Sequence, residues 1–280
     1  MHEKGLFTAR FWGVRGSIPC PGPDTVVYGG NTSCIEIRVN GRLFVIDFGS
    51  GARLLGDWLL DNDLKKNGKI SADVFITHTH WDHIMGFLMF APIYIPKTEL
   101  RITGPSPDKG TLKGIFEAQF SHNFWPVSID ELTASIEYKQ IKETSLNFDG
   151  GLTVTSKSLN HPSDCLGYRF DFQGKSIALV FDHEQTSGES NDKIISFVKN
   201  ADLLIHDSQY AEEEYPSHKG WGHSSMEHAV KTADEAGVKK LILFHHDPSH
   251  TDSQLEQFEK RFTGNKVEIV MAKEGMILEV

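Results

Sequence analysis

Three histidines and one aspartate lie within six residues of this chain, in the run His78-Thr79-His80-Trp81-Asp82-His83. Imidazole nitrogens and carboxylate oxygens are ligands for divalent metals of intermediate softness, above all zinc. One tetrahedral zinc takes at most four protein ligands, and an open catalytic site takes fewer. Because further histidines and aspartates follow downstream, the run predicts a site for two metals. The competing interpretation is a group of surface histidines without partners.

The residues around this cluster predict that it lies at the end of a strand. An apolar run from Asp73 to Thr77 precedes it and is typical of a buried strand. Further strand-like runs end in His or Asp at four later positions: His161, Asp182, His206 and His245. A sheet holds such side chains rigidly, and α/β sheets place their chemistry at strand ends. The recurrence favours one shared site over several independent capped turns.

The composition is that of a globular enzyme and argues against several other classes of protein. Of the 280 residues, 39% are hydrophobic and 24% are charged, which fits one large α/β domain or two small ones. The net charge of −10 argues against extended nucleic-acid binding, because binding a phosphate backbone depends on Lys and Arg. No apolar span is long enough to cross a bilayer, so no membrane partner is expected.

The location that the sequence predicts is the cytoplasm. Residues 1–5 lack the apolar core of a signal peptide. The cysteines are odd in number, widely spaced and without a CxxC pair: Cys20, Cys34 and Cys165. This pattern predicts reduced thiols and argues against a cysteine metal site.

Turn and cap signals predict several of the other elements. Asn40-Gly41 lies between two strand-like runs and predicts a hairpin with a type I′ turn. Gln173-Gly174 predicts a second hairpin. Ser224 or Ser225 is the expected N-cap of a helix that runs to Gly237.

Two features each allow two interpretations. Asp47 ends a strand-like run, where it either supports the site through hydrogen bonds or caps the helix predicted over residues 52–60. The aromatic segment from Phe120 to Val127 follows a helix predicted over residues 110–120. It forms either a lid or pocket wall over the site, or part of the hydrophobic core.

The motifs identify a family resemblance that covers nearly the whole chain. The run from His78 to His83 matches the HxHxDH signature of the metallo-β-lactamase superfamily, and later histidines and aspartates match its remaining ligand positions in order. The chain resembles the ribonuclease Z branch, and that branch's small cyclic-phosphate and cyclic-nucleotide phosphodiesterase relatives, in five stretches: Phe11–Ser17, Val45–Gly49, Gly167–Arg169, Ile205–Asp207 and Gly222–Ser224. The resemblance implies one domain over residues 1–280, an αββα sandwich of two mixed β-sheets flanked by helices.

The resemblance also implies a role for each site residue. It assigns seven metal ligands in two sets with a bridging carboxylate: His78, His80 and His161; Asp82, His83 and His245; and Asp182 as the bridge. The cofactors would be two divalent metals, zinc first, with manganese or iron as alternatives. Asp82 would also orient or deprotonate the attacking water, which the metals convert to hydroxide. His223, with Ser224 beside it, would bind the phosphate or protonate the leaving oxygen; the alternative for His223 is a polar residue that merely starts a helix.

Four other histidines remain ambiguous. His246 adjoins His245, and only one of the two can face the site if the strand alternates; the family pattern favours His245. His183 could orient a ligand from behind. For His206 and His122, a role in the pocket and a structural role are both open.

Hydrolysis of a small phosphodiester is the function that these features favour. Diiron redox relatives replace the second histidine of the signature by glutamate, whereas this chain has His80. Thioester and lactone hydrolases share the ligands but usually lack a motif like Gly222-His223-Ser224. Enzymes that process transfer RNA carry a protruding basic arm, and residues 105–110 are too short to form one. The expected substrate is therefore a cyclic nucleotide or cyclic phosphate.

Three alternatives follow from the same resemblance. The first is a ribonuclease Z-like endonuclease that processes RNA 3′ ends. A non-catalytic binding module is less favoured, because all seven ligand residues are present. A thioester or lactone hydrolase is the third and is also less favoured. Analogy with the family alone suggests a homodimer.

Overall fold

The computed structural model describes residues 6–107 and 109–280; residues 1–5, on which the signal-peptide expectation rests, lie outside it. Fourteen strands and eight α-helices follow one another along the described chain. The strands are β1 (Phe7–Gly13), β2 (Cys34–Val39), β3 (Arg42–Ile46), β4 (Ile70–Phe75), β5 (Thr98–Pro105), β6 (Ser135–Ile141), β7 (Ser145–Phe148), β8 (Leu152–Ser158), β9 (Leu166–Phe172), β10 (Lys175–Val180), β11 (Leu203–Asp207), β12 (Lys240–Phe244), β13 (Glu268–Met271) and β14 (Ile277–Glu279). The helices are α1 (Ala52–Leu59), α2 (Lys65–Asn67), α3 (Trp81–Ile84), α4 (Leu112–Ala118), α5 (Glu189–Val198), α6 (Tyr215–His218), α7 (Met226–Ala236) and α8 (Asp252–Arg261).

The strands form two mixed sheets of seven strands each. The first has the order β14-β1-β2-β3-β4-β5-β6 and the second has the order β13-β12-β11-β10-β9-β8-β7. Pairing is antiparallel from β14 to β3 and from β7 to β10, and parallel from β3 to β6 and from β10 to β13. Parallel neighbours end at the same edge of a sheet, so the residues after β3, β4, β10, β11 and β12 can reach one site.

Three apolar layers hold the sheets and helices together, as the period-two patterns predict. The layer between the sheets contains many aromatic rings, including Phe11, Phe44, Phe170 and Phe244. Helices α1 and α4 cover the outer face of the first sheet, and α5, α7 and α8 cover the outer face of the second. The predicted αββα sandwich is confirmed.

The local turn and cap signals are confirmed in their backbone geometry. Asn40 and Gly41 have φ of 49° and 83°, both positive as a type I′ turn requires. Gln173 and Gly174, at 49° and 76°, turn the β9–β10 hairpin in the same way. Ser225 is the N-cap of α7, because its hydroxyl accepts the backbone N–H of His228.

Two elements were not predicted from the sequence, β7 and α5. A capping box between Thr251 and Gln254 starts α8 at Asp252. In the aromatic segment, Phe120 and Trp125 pack into the outer core of the first sheet, while Phe124 is 76% exposed. None of the helices in residues 6–107 and 109–280 combines the length and the apolar character that crossing a membrane requires.

Candidate metal centre

The strand ends that converge at the candidate centre include three residues in a strained backbone conformation. Asp47 after β3, Asp182 after β10 and His245 after β12 have φ of 60°, 48° and 65°. A non-glycine residue in this left-handed region costs about 1–3 kcal/mol, and such residues cluster at functional sites. All three side chains are buried.

The first donor group combines four residues from both sheets: His78, His80, His161 and Asp182. One possible ligand atom from each lies within 4.8 Å of the others. His161 Nε2 is 3.2 Å from His80 Nδ1, and His78 Nε2 is 3.5 Å from Asp182 Oδ2. Burial lowers the pKa of His78, His80 and His161, which keeps the rings neutral with a nitrogen lone pair available for a metal.

The second donor group is formed by buried residues alone: Asp82, His83, Asp182 and His245. His83 Nε2 lies 3.2 Å from His245 Nε2 and 3.1 Å from Asp182 Oδ1, and both imidazoles lie 3.3 Å from Asp82 Oδ2. For ligand bonds of about 2.0–2.1 Å, the edge of a tetrahedron is about 3.3 Å. The donor atoms are therefore spaced as tetrahedral coordination of one cation requires.

Two further observations indicate that the centre favours a positive charge. Burial lowers the pKa of His83, but the carboxylates of Asp182, Asp82 and Asp47 outweigh that effect and raise the pKa well above its usual value. In the first donor group, His78 Nε2 is buried without a hydrogen-bond partner. Buried polar atoms are normally paired, and a cation between the donors would supply the missing partner.

Side chains behind the donors orient the rings of His83 and His245. Asp47 accepts a hydrogen bond from His83 Nδ1 at 2.7 Å and another from the Thr77 backbone N–H at 2.8 Å. Gln209 Oε1 accepts from His245 Nδ1 at 3.0 Å. With the proton on Nδ1, each ring presents Nε2 to the donor group. Asp47 therefore supports the site and does not cap α1, whose N-cap is Gly51.

His223 lies beside both donor groups and is held by an aspartate that the sequence analysis did not select. The His223 ring is 5.8 Å from the ring of His161 and 5.0 Å from the ring of His245. Its Nδ1 donates to Asp207 Oδ2 at 2.8 Å. Burial lowers the pKa of His223, but the charge and the hydrogen bond of Asp207 raise it to about 9. The position of Asp207 at the end of parallel strand β11 was the signal that could have identified it.

The loop between β1 and β2 contacts the centre through Gly16 and Ser17. The Ser17 backbone N–H donates to Asp82 Oδ2 at 2.8 Å. A Cβ atom at Gly16 would lie 2.4 Å from the His245 ring, so only glycine fits there. Neither contact followed from the sequence, because the loop and these residues are far apart along the chain.

The structure brings the seven predicted ligand residues together with His223, but not Ser224. The Ser224 hydroxyl is fully buried and donates to the His183 carbonyl oxygen at 2.5 Å. The substrate contact assigned to Ser224 by the resemblance stays a prediction, and in this structure the hydroxyl proton is bound inside the fold.

The ambiguous histidines lie outside both donor groups. Burial lowers the pKa of His246 to about 3, and its Nε2 donates to the Ala272 carbonyl oxygen at 2.9 Å. His206 Nδ1 donates to the carbonyl oxygen of Asp207 at 2.6 Å. His183 Nδ1 accepts the Asn160 backbone N–H at 3.1 Å, which ties it to the residue before His161. His122 is exposed.

Replacing Asp47 by asparagine tests the support of His83. We expect the variant to bind the metal of the second donor group about 10–100-fold more weakly, because the amide is a poorer acceptor for Nδ1. A zinc titration against a chromophoric chelator measures this affinity. Replacing Asp73, a buried aspartate paired with Arg101 and Arg42, is the control and should leave zinc affinity unchanged. Unchanged affinity in the Asp47 variant would contradict the role assigned here.

Comparison with known proteins identifies the family. Residues 57–246 match a family model described as a β-lactamase superfamily domain. The ribonuclease Z of Archaeoglobus fulgidus is 25% identical over an alignment of 330 positions that covers 98% of each protein.

Two solved structures share the fold. The metallo-β-lactamase fold protein YhfI from Bacillus subtilis superposes with a TM-score of 0.73 at 19% identity, covering 99% of this chain and 100% of its own. The short form of human tRNase Z superposes with a TM-score of 0.69 at 21% identity, covering 97% of this chain and 98% of its own. Because the family match spans well over half of the chain and the relatives are hydrolases, this protein is a hydrolase of the β-lactamase superfamily.

Proposed function

We propose that the protein hydrolyses a small phosphodiester, a cyclic nucleotide or cyclic phosphate, with two zinc ions. One observation carries the proposal: Asp182 belongs to both donor groups, and His223 lies beside both. His78, His80 and His161 would hold one zinc, and Asp82, His83 and His245 would hold the other. When bound, the zinc pair lowers the pKa of a water and neutralises charge on the phosphate oxygens.

The chain's own residues contribute positioning and proton transfer. Asp82 orients the attacking water and is itself fixed by the Ser17 N–H. His223 donates a proton from Nε2 to the leaving oxygen, since Nδ1 is bound to Asp207. Asp207 keeps His223 protonated and fixes the plane of its ring.

The charge and the shape of the protein favour a small substrate. A cavity of about 560 Å³ has His161 in its wall, and Lys142, Ser106 and Ser158 among its polar lining. Cavities of this size commonly enclose small ligands. The net charge of −10 disfavours a long RNA, whose binding depends on many basic contacts.

The second candidate is a ribonuclease that processes the 3′ ends of RNA. The observation that favours it is the similarity to a ribonuclease Z over 98% of both chains. The same donor groups and the same Asp207–His223 pair would serve this reaction, so the two candidates differ only in what binds outside the metal centre.

A substrate panel separates the two candidates. Zinc-reconstituted protein is offered 3′,5′- and 2′,3′-cyclic nucleotides, bis-p-nitrophenyl phosphate and a precursor transfer RNA with a 3′ trailer, each with and without chelator. We expect chelator-sensitive turnover with the highest kcat/KM on a cyclic substrate. Cleavage of the precursor with inert cyclic nucleotides would establish the second candidate instead, and no chelator-sensitive turnover of any substrate would overturn both.

A further inference from the structure

Glu184 lies outside the donor groups, yet its carboxylate fixes the loop that faces His161. Oε1 accepts the Gly220 N–H at 2.7 Å and the Tyr215 hydroxyl at 3.1 Å. Oε2 accepts the Gly222 N–H at 3.1 Å. One half-buried carboxylate thus binds both ends of the 215–222 segment.

Gly222, which Glu184 holds through its N–H, is itself in contact with His161. Its carbonyl oxygen accepts a hydrogen bond from His161 Nδ1 at 3.1 Å, which leaves His161 Nε2 facing His80. Gly222 has φ of 93°, and a Cβ atom there would lie 2.2 Å from the His161 ring. The backbone of this glycine is therefore packed against the imidazole, and a shift of the loop would move the ring.

The main chain of Glu184 also binds the residue that precedes His161. Its N–H donates to the Asn160 carbonyl oxygen at 2.7 Å, and the Asn160 side-chain amide donates back to the Glu184 carbonyl oxygen at 3.1 Å. Asn160 directly precedes His161. Glu184 is thus bonded to the segment that carries His161 and also to the loop that orients its ring.

We propose that Glu184 is a positioning residue for the first donor group, and that it sets the affinity of the zinc held by His78, His80 and His161 without affecting the other zinc. This inference rests on the proposed two-zinc site. The second donor group has its own supports, Asp47 and Gln209, which follow β3 and β11, whereas Glu184 follows β10. Supports behind a ligand typically change metal affinity about 10–100-fold.

The Glu184→Gln variant tests the inference. The amide oxygen can keep the bonds to Gly220 and Tyr215, but the amide nitrogen then faces the Gly222 N–H, donor against donor. We expect two tight zinc ions per chain in the wild type. In the variant one remains tight and the other binds about 10–100-fold more weakly. Elemental analysis after dialysis at fixed free zinc measures the number of bound zinc ions. Competition with a chromophoric chelator measures the affinity of each.

Matched variants separate positioning from general damage to the fold. Tyr215→Phe removes one donor from Glu184 without touching Gly222 and should keep both affinities within about twofold. Glu189→Gln makes the same chemical change at an exposed position of α5 and should have no effect. Excess zinc should refill the weakened site of the Glu184→Gln variant and restore its turnover. If that variant does not fold, Glu184→Asp keeps the charge, is too short to reach Gly222, and should show the same selective loss.

The outcomes distinguish this inference from the proposed function. Wild-type affinities for both zinc ions in Glu184→Gln, or equal weakening of both, would overturn the inference while the two-zinc enzyme stands. A wild-type protein that binds fewer than two zinc ions would overturn the proposed function itself, and this inference with it.

Discussion

Replacing Asp182 by asparagine is expected to reduce kcat/KM by at least about a thousandfold and to leave fewer than two zinc ions per chain. Asp182 is the only residue that belongs to both the first donor group and the second. Neighbouring cations repel each other, and a neutral amide does not offset that repulsion. About 4 kcal/mol of lost stabilisation corresponds to the thousandfold change.

Zinc content and turnover of bis-p-nitrophenyl phosphate, measured on the same preparation, test this expectation. Asp202→Asn is the matched control, because Asp202 is also a buried aspartate but directly precedes β11, whereas Asp182 follows the parallel strand β10 at the other edge of the sheet. It should retain two zinc ions and its turnover. An Asp182 variant with two zinc ions and a rate within tenfold of the wild type would contradict the shared-ligand assignment.

Replacing His223 by glutamine is expected to lower kcat/KM by about 10²–10⁴-fold on substrates with an alkoxide leaving group. The effect on bis-p-nitrophenyl phosphate should be much smaller, because p-nitrophenolate leaves without protonation. Zinc content should not change, since His223 supplies no ligand to either proposed zinc. Asp207→Asn should show the same dependence on the leaving group, because Asp207 acts through the His223 ring.

The informative measurement compares two losses of kcat/KM in the His223 variant: the loss on a substrate with an alkoxide leaving group and the loss on bis-p-nitrophenyl phosphate. Equal losses for both leaving groups would contradict proton transfer and would indicate that His223 binds the phosphate. Replacing His122, an exposed histidine, by glutamine provides the control for the substitution itself and should change neither rate.

The sequence predicted those parts of the site that depend on local patterns. The ligands from His78 to His83 lie within one turn, so their spacing was visible without a fold. Asp182 and His245 could be anticipated because each follows an apolar strand-like run. The hairpin at Asn40-Gly41 was predictable because the required positive φ at both residues is characteristic of that pair.

The parts of the site that the sequence did not predict are contacts between residues that are distant in the chain. Asp207 binds a histidine sixteen positions later, and whether Asp47 supports His83 or caps a helix depends on how two neighbouring strands end. The inward direction of the Ser224 hydroxyl could not be predicted either, because a position beside His223 gives no information about it. Helix α5 was missed because it begins after Gly188 without a side-chain cap.

Each donor group draws from both halves of the sandwich, and this has a consequence for the lifetime of the enzyme. His78 and His83 follow a strand of the first sheet, whereas His161, Asp182 and His245 follow strands of the second. Bound zinc would therefore cross-link the two layers, and at a hundred times its dissociation constant each ion would add about 2.7 kcal/mol to the free energy of unfolding. The abundance of this hydrolase would then follow the supply of free zinc, because zinc-free protein would be less stable and more readily degraded as well as inactive.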